Sequence, residues 1–372
     1  METKKLFLVH NQLSKLLSSL NQSGYQCIGP QVKDGVIVYD VLNDVRQLPW
    51  GVRDLQAPGK YRLDKTANPE NAFGWANGAQ AIKPLTFKSE ETLWKVTRDE
   101  NGQLAFKSID PEAKPVAIIG ARPCDLAAML IMDKVFIEGA YKDVRYQARR
   151  EKLFTVVVNC TAPSANCFCV GANGDVRAKD HFDLAMTELE DGFVVEVGSD
   201  AGQSIIEKLS LQPAAIEQIQ TADQRLEAAA QSQTKKLPKG DLKEKLFNNL
   251  DSEKWNEIAK RCLSCTNCTQ VCPTCFCHSE GDVPALDGAS SEHKRLWDSC
   301  FTEGHSRLHS EVVRDDTAKR YRQWLIHKLG TWADQFGTSG CVGCGRCITW
   351  CPVGIDITEE AAALCSEQEK SK

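Results

Sequence analysis

No stretch of about 18 apolar residues occurs in this 372-residue chain, which excludes an ordinary membrane-spanning helix. The longest uncharged stretch, Phe154 to Gly174, carries Asn, Thr, Pro, Ser and Gly and is too polar for hydrocarbon. The first residues lack the basic, apolar and small-residue segments of a secretory signal. METKKLFLVHNQLSKLL reads instead as an amphipathic helix, with Leu6, Leu13, Leu16, Leu17 and Leu20 on one face. A cytoplasmic location is the expectation. Motifs for substrate chemistry are also missing. No G-x-G-x-x-G follows a strand, and there is no phosphate-binding loop, nucleophile elbow or C-x-x-C-H haem site. Ile118-Ile-Gly-Ala-Arg-Pro has one glycine where a dinucleotide turn needs several. Charge of one sign is scarce too: 45 basic against 50 acidic residues leave −5, so nothing draws the whole chain to nucleic acid or an anionic membrane. No fibrous or solenoid repeat is present.

What is abundant is cysteine. There are 17, an odd count, and 12 of them lie between Cys262 and Cys365. In a reducing compartment so many thiols do not make a disulfide framework. Clustered cysteines then point to metal, and to iron–sulfur chemistry in particular.

The length suits two or three domains. Residues 1–235 are expected to form an α/β domain with a mostly parallel sheet. Gly35-Val-Ile-Val-Tyr-Asp reads as a strand, residues 50–85 as an irregular packed segment, and Val116-Ala-Ile-Ile-Gly as a buried strand. A turn, Ala121-Arg-Pro-Cys-Asp, leads into a helix from Leu126 to Phe136 with Asp125 as its expected N-cap. Phe154-Thr-Val-Val-Val and Phe193-Val-Val-Glu-Val read as further strands, and strands alternating with helices favour a parallel sheet. Residues 203–235 have helical periodicity, and 236–250 read as a linker. Residues 251–372 are expected to be a helical ferredoxin domain, with Tyr321, Trp324, Leu325, Lys328, Leu329, Trp332 and Phe336 as one packed stripe.

Two runs match one template, C-x2-C-x2-C-x3-C-P. They are Cys262-Leu-Ser-Cys265-Thr-Asn-Cys268-Thr-Gln-Val-Cys272-Pro273 and Cys341-Val-Gly-Cys344-Gly-Arg-Cys347-Ile-Thr-Trp-Cys351-Pro352. Three cysteines so spaced wrap three corners of a cubane, and in two-cluster ferredoxins the fourth ligates the other cluster. The expected ligand sets are therefore Cys262, Cys265, Cys268 and Cys351 for one [4Fe–4S] cluster, and Cys341, Cys344, Cys347 and Cys272 for a second. Pro273 and Pro352 end the loops, while Gly343 and Gly345 permit tight turns. Structural zinc uses separated C-x2-C pairs and fits two matching four-cysteine runs poorly.

Cys124 and Cys160 follow the carboxyl ends of buried strands, where open α/β sheets bind ligands. Cys124 also sits near a helix N-terminus, which favours thiolate. With Cys167 and Cys169 they suggest a third cluster; buried inert thiols are the competing reading. Asp125 is weighed as a substitute ligand and as a cap. Cys275, Cys277 and His278 are expected to pack beside the first run, and Cys27, Cys300 and Cys365 to be structural. His305 and His309 have i, i+4 spacing without a third ligand. Lys319-Arg-Tyr-Arg is a basic patch, read as solvated or as a docking surface.

Sixty-eight residues separate Cys272 from Cys341, far more than in a compact bacterial ferredoxin. The insert resembles the α-helical ferredoxin of fumarate-reductase and heterodisulfide-reductase iron–sulfur subunits. Taken together, Gly29-Pro30, Arg122-Pro-Cys-Asp, Cys160…Cys167-Phe-Cys169, Arg261-Cys-Leu-Ser-Cys…Cys272-Pro-Thr-Cys-Phe-Cys277 and Arg320-Tyr-Arg-Gln-Trp resemble a family over essentially the full chain. It is the iron–sulfur beta subunit of cytosolic NAD(P)-linked [NiFe] hydrogenases, or sulfhydrogenases; the corresponding iron–sulfur subunit of anaerobic sulfite reductase is closely similar. The resemblance implies single-electron transfer, and the missing motifs argue for a subunit without a substrate-converting site of its own. It also implies a flavin and [2Fe–2S] subunit that handles NAD(P)H, with NiFe large and small subunits, or a sirohaem subunit, in the same complex. A self-sufficient polysulfide reductase and a purely structural cluster protein are the other readings.

Overall fold

A computed structural model describes residues 5–80 and 82–366. An eight-stranded sheet organises the first half. Its strands are β1 (Leu6–Val9), β2 (Gln26–Lys33), β3 (Val36–Val41), β8 (Val116–Ala121), β9 (Leu153–Val158), β10 (Leu184–Glu188), β11 (Gly192–Val197) and β12 (Gln212–Pro213). Between them in sequence lie β4 (Val52–Ala57) and β5 (Lys60–Lys65), a separate hairpin, and β6 (Glu90–Arg98) and β7 (Leu104–Ser108). The order across the sheet is β12-β1-β11-β10-β9-β8-β2-β3.

This sheet is mixed, which corrects the expectation of a mostly parallel one. Only β2–β8, β8–β9 and β9–β10 pair in parallel. Tight hairpins supply the opposite sense. Asp34 and Gly35 adopt φ of 49° and 75°, the left-handed pair that a two-residue turn needs, so β3 folds back on β2. β11 folds back on β10, and β1 joins β11 antiparallel. Buried apolar runs identify strands but carry no information on direction.

The central strands are covered on both faces. Leu16, Leu20, Phe73, Val156, Val158 and Met186 pack on one side, and Ile118, Leu126, Met129, Val157 and Ala185 on the other. The expected N-terminal helix is in fact a strand, Leu6–Val9, followed by a helix at Leu13–Gln22. Residues 1–4 of that segment lie outside the described residues. The irregular 50–85 segment contains the β4–β5 hairpin before its loop.

The second half is not purely helical. A hairpin of β13 (His278–Pro284) and β14 (Ser290–Trp297) pairs with β6, forming the sheet β13-β14-β6-β7. Buried Glu91 on β6 pairs with Arg145 at 3.1 Å and Arg295 at 3.0 Å, tying the hairpin to the first half. The 236–250 stretch carries a short helix, Leu242–Phe247, whose Leu246 is fully buried. The aromatic stripe packs as expected around Tyr321, Trp324 and Leu325, but a π-helical turn at His327–Thr331 interrupts it, and Trp332 beyond it packs on Phe276 and Phe336. The Lys319–Arg322 patch is occupied internally: Lys319 pairs with Asp315, and Arg320 and Arg322 bond the carbonyls of Arg314 and Leu250. Among the described residues no helix is long and apolar enough to cross a membrane.

Candidate metal centres

The two cysteine runs fold alike. In the first, Ser264 and Thr266 adopt φ of 49° and 69°; in the second, Gly343 and Gly345 at the matching positions adopt 65° and 75°. Each run then enters a one-turn helix, Asn267–Gln270 or Arg346–Thr349. The left-handed turns aim backbone N–H groups at sulfur: Ser264 N donates to Cys262 Sγ at 3.4 Å and Gly343 N to Cys341 Sγ at 3.5 Å.

Cys262, Cys265 and Cys268 line one cavity together with Cys347 and Cys351 of the second run. Tyr321, Trp324 and Ile357 close its inner side. Ile355 N donates to Cys351 Sγ at 3.3 Å. Cys272 is not among the residues lining that cavity. Its thiol lies in the electrostatic surroundings of Cys341, Cys344 and Cys347. The fourth cysteine of each run thus lies beside the other run. Among the described residues no three His, Cys, Asp or Glu side chains converge tightly enough to hold a single metal ion.

Burial raises the Cys341 thiol to about 12 and holds Cys347 well above its ordinary value. Donors of this kind become thiolates most readily around a positively charged core, as an iron–sulfur cluster provides. Cys272 differs. Its hydrogen bond with Cys275 depresses it, burial opposes that, and the Lys328 cation depresses it further. Lys328 Nζ stands 3.3 Å from Cys272 Sγ, 3.0 Å from Thr274 Oγ1 and 3.1 Å from the Gly340 carbonyl. Burial works against its charge, yet the surrounding Cys272, Cys275 and Cys341 thiols hold Lys328 well above the usual lysine value. The π-helical turn puts Lys328 there.

The second run is embedded in the first half of the chain. Arg346, fully buried, pairs with fully buried Asp125 at 2.8 Å and donates from Nε to the Gly78 carbonyl at 3.1 Å. A Cβ at Gly343 would meet the Phe168 carbonyl oxygen at 2.5 Å, and one at Gly345 would overlap that of Asn166. The Asn166–Cys169 loop thus lies directly on this run. Asn77 Nδ2 bridges them, donating to the Cys344 carbonyl at 2.8 Å with Cys167 Sγ 3.9 Å away.

Cys124, Cys160, Cys167 and Cys169 lie in one region beyond the carboxyl ends of β8 and β9, where charge effects link Cys160 to Cys167 and Cys169, and Cys124 to Cys169 and Cys344. Burial raises Cys160 and Cys169 to about 11 and Cys167 to about 12. Cys124 is also raised well above its ordinary value by burial, so the expected thiolate-favouring effect of the helix N-terminus is outweighed. The helix begins at Pro123 with Arg122 as N-cap, not Asp125. Asp125 Oδ2 accepts from the Arg122 N–H at 3.2 Å, and its other oxygen faces Arg346.

His305 and His309 do not form a pair: His305 turns to Cys277 and Asp298, and His309 occupies a left-handed turn with φ 56°. Asn77, Lys328, Thr274 and Arg346 were not identifiable as site residues from sequence. The only signal was Arg346's position inside C-G-R-C, which reads equally well as a solvated arginine.

Residues 261–355 match the 4Fe–4S dicluster domain family. The chain is 30% identical over 277 residues to sulfhydrogenase 2 subunit beta of Pyrococcus furiosus, an alignment covering 74% of this chain and 79% of that one. No solved structure matches. A dicluster domain carried with an N-terminal region alignable to that subunit places this chain in the sulfhydrogenase beta-subunit family.

Proposed function

We propose that this protein is the electron-transfer iron–sulfur subunit of a cytoplasmic NAD(P)-linked [NiFe] hydrogenase complex, passing single electrons to or from a flavin subunit. The observation that supports this reading is the matched pair of cysteine runs, with Cys351 of the second run lining one cavity with Cys262, Cys265 and Cys268 of the first, in a chain related to a sulfhydrogenase beta subunit. Cys262, Cys265, Cys268 and Cys351 would hold one [4Fe–4S] cluster, and Cys341, Cys344, Cys347 and Cys272 a second. Cys124, Cys160, Cys167 and Cys169 would hold a third. Bound clusters of this type supply reversible one-electron transfer.

The protein's own groups set the conditions. The N–H groups of Ser264, Gly343 and Ile355 donate to cysteine sulfur and stabilise negative charge there. Lys328 places a buried cation against Cys272. Tyr321 and Trp324 exclude water from the inner wall of the first site. Arg346 and Asp125 pair the second run with the helix that follows the Cys124 turn, so a third cluster there would lie beside the second. The first site opens outward at Cys265, which is exposed.

Purification of the native complex tests the assignment. Nickel and flavin subunits are expected to co-elute. Sirohaem absorbance in their place would move the protein to an anaerobic sulfite reductase, and a chain without partners or reversible low-potential couples would refute the reading. The third site has its own test in the full chain. Cys160→Ser with Cys167→Ser is expected to remove about four irons; unchanged iron would reduce the number of sites to two.

A further inference from the structure

A buried polar atom without a partner is uncommon, because it gives up water and gains nothing in return. Among the described residues, Tyr321 Oη and Trp324 Nε1 are two such atoms, in side chains of residues only 3% and 5% exposed. Other unpartnered atoms, Trp332 Nε1 and Trp350 Nε1 among them, belong to residues outside the cavity at the first cysteine run. Tyr321 and Trp324 line that cavity.

Both come from one helix, Thr317–Ile326, at i, i+3 spacing, so they share a face. The helix is tied to the run it faces: Ser264 Oγ and Thr317 Oγ1 stand 3.0 Å apart. Arg320 Nη1 donates to the Phe301 carbonyl at 3.3 Å and fixes the neighbouring wall. The Tyr321 ring lies 6.2 Å from that of Phe301 and 5.4 Å from that of Trp324. Such packing asks only for aromatic rings, and phenylalanine would meet it at both positions. The hydroxyl and the indole N–H are left over. Their partner is not a cysteine as it stands: Cys262, Cys265, Cys268, Cys347 and Cys351 line the same cavity, yet neither atom bonds any of them. The acceptor that a four-iron cluster would bring to this cavity, besides its thiolates, is inorganic sulfide.

We propose that Tyr321 Oη and Trp324 Nε1 donate hydrogen bonds to inorganic sulfide of a cluster at the first run and raise its potential. The proposal rests on the reading of that run as a cluster site. Ser264 N and Ile355 N donate to cysteine sulfur there, at 3.4 and 3.3 Å. The two side chains add neutral donors on the inner wall. A hydrogen bond to a group whose negative charge grows on reduction stabilises the reduced form, so each donor makes the first site easier to reduce. The two sites are then tuned by different means, the first by neutral donors and the second by the buried Lys328 cation at Cys272.

The test is an anaerobic dithionite titration of the full chain with its clusters, followed by electron paramagnetic resonance, with iron and sulfide measured on the same samples. Lys328→Met, which acts at Cys272, identifies the couple of the second site. Tyr321→Phe keeps the ring and is expected to make reduction of the first site about tenfold harder, about 59 mV for one electron. Trp324→Phe is expected to act in the same direction by about threefold. The second site should keep its potential in both. 3-Fluorotyrosine in place of Tyr321 is a stronger donor of nearly the same shape, so it is expected to shift the first site the opposite way. Altered packing alone would not reverse the sign. If Tyr321→Phe loses iron, Trp324→Phe and the fluorinated side chain carry the test. Wild-type potentials in these variants at full iron content would overturn the proposal, as would equal shifts at both sites or a fluorotyrosine shift of the same sign as that of phenylalanine. Fewer than about eight irons in the wild type would instead overturn the cluster reading beneath it.

Discussion

The first cysteine run is a surface loop and the second an interior one, although their backbones follow the same path. Leu263 is 62% exposed and Cys265 lies open to solvent, whereas Cys344 is 8% exposed and Arg346 fully buried. The left-handed positions reflect the difference. The first run carries Ser264 and Thr266 there, both half-buried. The second requires Gly343 and Gly345, because the Asn166–Cys169 loop lies against their backbone. Sulfur geometry is thus set by a local motif, while the surroundings decide what each site can exchange with. The interior run faces the Cys124 and Cys167 region; the exposed run faces outward, where a partner could approach.

The strongest way to break this contrast is to remove the interior lock. Arg346→Met strands Asp125 as a buried unpaired charge and is expected to cost about 3–5 kcal/mol in anaerobic denaturant titration. Asp125→Leu added to it should recover part of that loss. A cost below about 1 kcal/mol would show that the second run is not anchored as described.

The matched glycine and threonine positions give a sharper comparison. Gly345→Ala adds a Cβ onto the Asn166 carbonyl at positive φ and is expected to cost about 3 kcal/mol. Thr266→Gly, at the equivalent point of the exposed run, relieves a left-handed β-branched residue and should change stability by less than about 1 kcal/mol. Equal effects at the two positions would erase the distinction.

The smallest expected change is electrical. Lys328→Met removes a buried cation from Cys272, so reduction at the second site becomes harder. Its potential is expected to fall by roughly 100 mV, about 2 kcal/mol for one electron, in a redox titration followed by electron paramagnetic resonance. The first site, whose thiols Lys328 does not touch, should move much less. Equal shifts at both sites would contradict the placement of Cys272.

The motif spacing made the eight run cysteines legible, and the buried runs at 116–120 and 154–158 announced central strands correctly. Strand direction was not legible, because an apolar run looks the same in either orientation. The 278–297 hairpin was missed because its exposed strands read Ser, Glu, His and Lys without apolar alternation. Lys328 appeared in the stripe only as a packed residue; its Nζ reaches Cys272 because the helix widens into a π turn, which periodicity does not encode. Arg346 and Asp125 lie 221 positions apart, and their pairing depends wholly on the fold.

The central claim is that the two runs together hold two four-iron clusters. Anaerobic quantification of iron, acid-labile sulfide and zinc in the full chain, with Mössbauer spectra on the same sample, tests it most directly. The account predicts at least about eight irons and eight sulfides per chain, all in [4Fe–4S] form, with the third site adding about four of each. Fewer than about eight irons, or zinc in their place, would contradict it.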